Sequence, residues 1–232
     1  MINIKNAEFL ISIITLFLAY IISATFSNYF RTWVANKVGD PTGKDEGFLT
    51  INPFVHIDLV GLFCLLFFHF GWGRNVPINP FNITAPFRIA KLIFAYLAKT
   101  IANFFLALLS LFLLVCFFGS HILELFPYVM LGKHISYLYP TASSFLISLA
   151  FILVNLLYLN IILGILNLII NSCRFIMILI VERSPQYAVY DTYVTFLLPI
   201  LLILFFSQPL WILVINLVSY LGYLVAHLFG IA

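Results

Sequence analysis

Charge is what this sequence has least of. Only 8% of its 232 residues are Asp, Glu, Lys or Arg, where soluble domains carry roughly 25%. A chain that is 64% apolar has too little polar surface to clothe a water-exposed core, so its expected solvent is the lipid bilayer. The net charge of +3 is too small an excess for a nucleic-acid partner. Acidic groups are scarcest of all, with no Asp between Asp58 and Asp191 and with Glu124 and Glu182 both expected in loops. A transporter therefore lacks the intramembrane carboxylates of an ion pathway and is supported only by polar residues within apolar runs. Cysteine is also sparse. Cys64, Cys116 and Cys173 show no CxxC spacing, and they read as small hydrophobes rather than as a disulfide frame or metal site. His69, His121, His134 and His227 have no spacing that brings two together, so each reads as interfacial or packed. The first apolar run begins near Phe9, with no small-residue cleavage site behind it, and is expected to be a retained span.

What the chain has in abundance is long apolar runs, with 26 Phe and 12 Tyr among them. A bilayer crossing takes about 20 such residues of helix. Leu10 to Phe26 supplies the first, running on toward Val38, where Gly39-Asp40-Pro41-Thr42-Gly43 ends it. Leu59 to Phe70, bounded by Gly61 and by Gly71-Trp72-Gly73, is too short to cross and suits a re-entrant or interfacial segment. Ile89 to Phe118 and Ser143 to about Ile170 are further spans, separated by a mixed loop from Gly119 to Pro140. A segment with Arg174, Glu182 and Arg183 is expected to lie amphipathic at the surface. Thr192 to Phe206 and Leu210 to Phe229 complete the set. The expected fold is an all-α polytopic membrane protein of five to six transmembrane helices, read as a single domain over 1–232. Over about 45–82 it is expected to carry a re-entrant or membrane-surface β-hairpin-like segment.

Charge placement orients this arrangement. With five spans and the N-terminus outside, Arg31, Lys37, Lys44, Arg74, Arg88, Lys91, Arg174 and Arg183 fall inside. Only Lys5 and Lys133 then fall outside, while Lys99 stays within a span. The positive-inside rule thus puts the region 31–91 in the cytoplasm. The expected membrane is of the bacterial inner type, which the charge count does not itself identify.

From Gly39 the chain reads GDPTGKDEGFLTINPFVHIDLVG, and from Phe70 to Asn82 FGWGRNVPINPFN. This block resembles the site-2 protease family of intramembrane zinc metalloproteases. The match is carried by Gly39, Asp40, Pro41, Thr42, Gly47, Leu49, Thr50, Asn52, Pro53, His56, Asp58 and Gly61. It continues through Gly71, Trp72, Val76, Pro77, Asn79 and Pro80. Further on, Ala98 and Asn103 match a family A-G-P-x-x-N element in which Lys99-Thr100 replaces Gly-Pro. Leu166-Asn167-Leu168 resembles the start of the element that ends in L-D-G.

The resemblance implies zinc-assisted peptide hydrolysis. An HExxH run would place two His one turn apart as ligands, with the Glu between them as base, and an Asp from L-D-G would be the third ligand. Counted back from Gly39, those first positions hold Ser27, Asn28 and Arg31, and the Asp position falls near Phe175. No imidazole or carboxylate stands at any of them, and a fixed cation at Arg31 would repel a metal ion. The expectation is a degenerate relative with no zinc and no catalysis. It would work by binding, either as a subunit of a membrane complex or as a holder of another protein's transmembrane segment. One alternative is an active zinc endopeptidase whose site is displaced to His56 and Asp58 with His69 or His134. Because the family carries that His56–Asp58 pair beside its real ligands, a hydrogen-bonding role is the simpler reading. Arg31 reads as snorkelling to the interface, or as a buried charge paired with a carboxylate such as Asp58. Trp72 and its flanking prolines suit a membrane-surface loop. Asn103 and Asn167, costly in lipid, should face the protein interior.

Overall fold

The computed structural model describes residues 4–68, 71–119, 143–184 and 212–224, with single positions at 193, 197, 198, 201, 205, 209 and 227. Its helices are α1 (Ile4–Val38), α2 (Thr42–Asp45), α3 (Pro53–His56), α4 (Leu59–Phe68), α5 (Arg88–Phe118), α6 (Ser144–Arg183) and α7 (Ile212–Leu224). A 3-10 turn covers Pro80–Asn82. The expected loop beyond Gly119 (120–140), His69 and most of Thr192–Phe206 lie outside the described residues.

Three helical stretches are long and apolar enough to cross a membrane: Leu10–Val38, Arg88–Phe118 and Phe145–Arg183. These are three spans among the described residues; of the further ones expected, Thr192–Phe206 lies largely outside those residues, and α7, within the expected Leu210–Phe229, is a shorter apolar helix. The long runs hold no proline, so each backbone satisfies its own hydrogen bonds, as lipid requires. At 1.5 Å per residue, the 31 to 40 residues of α1, α5 and α6 extend about 45–60 Å, well past a hydrocarbon core of about 30 Å. α6 overruns its expected end near Ile170. Arg174 is consequently buried against the other helices rather than placed on a surface amphipathic segment.

Side-chain contacts give the directions. Thr15, Ser23 and Arg31 on α1 meet Asn155, Asn160 and Asn171 on α6 in rising order, so these two helices run parallel. Phe26 stacks on Phe105 while Arg31 lies over Tyr96, and Gly164 meets Phe104 while Arg174 lies over the same Tyr96. α5 is therefore antiparallel to both. The apolar core between them joins Leu16, Ala19, Tyr20, Leu111, Leu114 and Leu157, and Val214 and Val218 of α7 pack onto it. Small residues let the backbones approach: a Cβ on Gly164 would sit 2.8 Å from the Phe104 ring.

The α1–α5 connection starts and ends at one end of this unit. Gly39, at φ 113°, closes α1, with Asp40 N bonded to Ala35 O and Gly39 N to Asn36 O. The fully buried Asp40 carboxylate then accepts from Thr42 N (3.2 Å), Thr42 Oγ1 (2.6 Å), Asn82 Nδ2 (2.9 Å) and Asn79 N (2.8 Å). One side chain thereby ties the turn after α1 to the turn before α5.

The 45–82 segment is not a β-hairpin. Its only bridge among the described residues pairs Ile57 with Gly73, with Arg74 N donating to His56 O at 2.8 Å. The reason is local. Asn52 and Asn79 each cap a helical turn begun by Pro53 and Pro80, accepting from Phe54 N and Phe81 N. Proline at the first helical position has its torsion set for helix and no donor for a ladder. Between Ile57 and Gly73 the chain goes out through α4 and comes back. The Tyr20 hydroxyl fastens both arms, donating to Trp72 O (3.0 Å) and accepting from Asp58 N (3.3 Å). Gly61 and Gly71 permit the close return, since a Cβ on Gly71 would lie 2.9 Å from the Leu65 Cβ and one on Gly61 would strike the Trp72 carbonyl. Leu65 is buried, while Leu59, Val60, Phe63, Leu66 and Phe67 are exposed, the face a re-entrant helix would turn to lipid.

Asp40→Ala leaves four donors without their acceptor and is expected to cost roughly 3 kcal/mol. A thermal unfolding series in detergent, with Asp45→Ala on the exposed α2 as control, checks this.

Candidate functional site

The last turns of α1, the middle of α5, the late turns of α6 and the loop at 74–75 enclose a polar interior. Ser27, Asn28, Arg31 and Thr32 on α1 are each at most 1% exposed. On α5, Tyr96, Lys99, Thr100 and Asn103 recur at helical spacing on one buried face. Asn171 and Arg174 face them from α6.

Asn28 Nδ2 donates to the Arg74 carbonyl at 2.8 Å, and Lys99 Nζ reaches the same oxygen at 3.5 Å. Arg31 Nη1 donates to Asn171 Oδ1 (3.1 Å), and its guanidinium carbon lies 5.8 Å from the Tyr96 ring centre. Arg174 approaches the same ring at 5.9 Å and donates through Nη1 to Asn75 Oδ1 at 3.3 Å. Three cationic side chains thus share one interior, each buried to within 7% of full burial. Several neutral polar atoms there have no hydrogen-bond partner: Asn28 Oδ1, Thr100 Oγ1, both amide ends of Asn103, and Asn171 Nδ2. Each such atom costs about 1–3 kcal/mol, and each buried charge several more before compensation.

The positions singled out in the sequence do converge. Arg31 and Phe175, 144 residues apart in the chain, both contact Tyr96, the Phe175 ring at 6.4 Å. Arg31 does not snorkel to the interface. It is 1% exposed because Tyr96 and Asn171 offer it a π face and an amide oxygen inside. Asp58, its other candidate partner, uses Oδ1 to take Gly61 N at 2.7 Å at the start of α4. His56 Nε2 bonds Thr50 O at 2.7 Å, so this pair serves the loop. Asn103 is fully buried, as expected of an interior residue, whereas Asn167 is only half-buried. Among the described residues no three of His, Cys, Asp and Glu gather as a metal-binding group, and His134 lies outside them. Sequence reading left Tyr96, Thr100 and Asn171 unassigned, although the polar stripe at Tyr96, Lys99, Thr100 and Asn103 was there to find.

Burial holds the His56 imidazole below the usual histidine range. The Thr50 carbonyl pulls the other way, and the Lys99 charge adds to the lowering. The unfolded chain then binds more protons than the folded one below about pH 6.5, so stability is lost as pH falls through that value. The thermal midpoint is expected to drop between about pH 7.5 and pH 5.5. His56→Gln should flatten that slope; an unchanged slope would show that His56 does not contribute to it.

No protein-family model matches this chain. No solved structure matches it either. Over 100 residues it is 37% identical to a Bacillus subtilis (strain 168) protein described as "Putative zinc metalloprotease YwhC", an alignment covering 43% of this chain and 45% of that one. The chain thus spans a little under half the length of the curated relative it matches. The similarity supports a site-2-protease-like relationship for this membrane-protein chain.

Proposed function

We propose that this chain is a non-catalytic relative of the site-2 proteases that acts by binding a transmembrane segment of another membrane protein. One observation carries the reading: the positions resembling the family's metal centre lie together in the fold, and what gathers there is cationic. Zinc takes imidazole, thiolate or carboxylate donors at about 2.0–2.3 Å. Ser27, Asn28, Arg31 and Phe175 offer none of these, and the neighbouring Lys99 and Arg174 are basic side chains rather than metal ligands of that kind. The residues present do not fit the metal.

The binding role draws support from a groove of about 280 Å³ on the outer side of α1, lined by Ile21, Ile22, Thr25, Phe26 and Tyr29 with Ile51 and Pro53. Its apolar walls suit a helix side chain row, and it joins α1 to the block that carries the family resemblance. The Thr25 hydroxyl is buried there with no partner. The orientation with 31–91 toward the cytoplasm draws support from the antiparallel packing. That packing places the C-terminal ends of α1 and α6 and the N-terminal end of α5, with their Lys and Arg, at one end of the unit.

Protein purified from its native membrane is expected to carry no stoichiometric zinc by elemental analysis. It should also retain a partner membrane protein at fixed stoichiometry. Stoichiometric zinc that disappears in Asn28→Ala or His56→Ala would overturn the reading.

A further inference from the structure

We propose that the interior between α1, α5 and α6 binds a carboxylate, supplied by an acidic side chain on the partner's transmembrane segment. The carrier of that carboxylate rests on the binding role proposed above.

Lys99 is the starting point. It is 6% exposed and donates to a neutral carbonyl, Arg74 O, at 3.5 Å. Among the described residues it forms no ion pair, the one present being Arg88 with Glu182. Arg31 and Arg174 lie close enough to act on it with charge of the same sign, and Asp58 with charge of the opposite sign. One turn along the same face of α5, the Asn103 amide has neither donor nor acceptor engaged, and the Asn171 amide nitrogen across the interface is also unengaged. Ammonium and amide N–H groups are donors, and a carboxylate is an acceptor with two oxygens and about four lone-pair sites to receive them. A metal cation is refused by the charge.

Depth argues for a side chain over a lipid phosphate. Arg31 stands seven residues before the end of α1 and Lys99 eleven residues after the start of α5, roughly 10 and 16 Å along their helices. Among the described residues, nearby carboxylates already hold bonds of their own: Asp40 to Thr42, Asn79 and Asn82, Asp58 through Oδ1 to Gly61, and Glu182 to Arg88. The groove over Thr25, Phe26 and Tyr29 lies on the same two turns of α1 as Asn28 and Arg31, on the opposite, outer face of the helix.

The test uses the full chain in lipid nanodiscs and fluorescent single-span Leu/Ala peptides that differ only in a central Glu or Gln. The Glu peptide is expected to bind at least about tenfold tighter than the Gln peptide. Lys99→Met, which replaces a buried charge by an apolar group of similar length, should remove that preference while raising the thermal midpoint of the empty protein. Asn103→Leu serves as a second variant and should weaken the preference several-fold. Equal binding of both peptides would overturn the carboxylate site and leave the groove reading standing. A thermal response to sodium acetate, lost in Lys99→Met, without any peptide binding would overturn the partner-borne carboxylate and with it the binding role. No response to peptide or acetate would overturn the site itself.

Discussion

Apolar helices in lipid gain little from touching one another, because the tails around them are as apolar as their own side chains. What fixes α1 against α6 is therefore a series of polar contacts through the interior: Asn155 to Thr15, Asn160 to Ser23, and Arg31 to Asn171. Each is satisfied in one register only, since sliding either helix by a turn would leave amides and a guanidinium without partners in a medium that offers no others. The rest of the structure depends on that register. It sets the two helices parallel, leaves the antiparallel place between them for α5, and brings the C-terminal turns of both to the level of Tyr96.

A second constraint acts at the end of the unit. Asp40 binds the turn after α1 to the turn before α5, and Tyr20 holds both arms of the excursion through α4. Together they turn a stretch with almost no regular structure into a defined floor beneath the polar interior. Arg74 and Asn75, delivered by that floor, supply the carbonyl and amide oxygens on which Asn28, Lys99 and Arg174 converge. The floor and the helices thus shape one interior, positive in charge and rich in unengaged amides.

Part of this was legible along the chain. Long proline-free apolar runs announce helices, and Gly39-Asp40-Pro41 announces the end of the first one. The lack of ligand chemistry at Ser27, Asn28 and Arg31 can be read by position alone. The β-hairpin-like expectation for 45–82 is not met among the described residues, because Asn52-Pro53 and Asn79-Pro80 each start a helical turn. Arg174 was misplaced because a charge near the end of an apolar run looks like a surface residue until a partner is known. For Arg31 the sequence leaves both a surface and a buried reading open for the same reason.

By itself the sequence determined the solvent, the long helices and the chemical character of each position, because these follow from local composition and short-range backbone preference. Only the tertiary structure decided that Arg31, Tyr96, Lys99, Asn103, Asn171 and Arg174 share one interior, because burial and pairing depend on contacts between segments far apart in the chain. A cation beside an apolar run is ordinary. Three of them brought together out of water are a site, and it is the packing of three helices that makes them one.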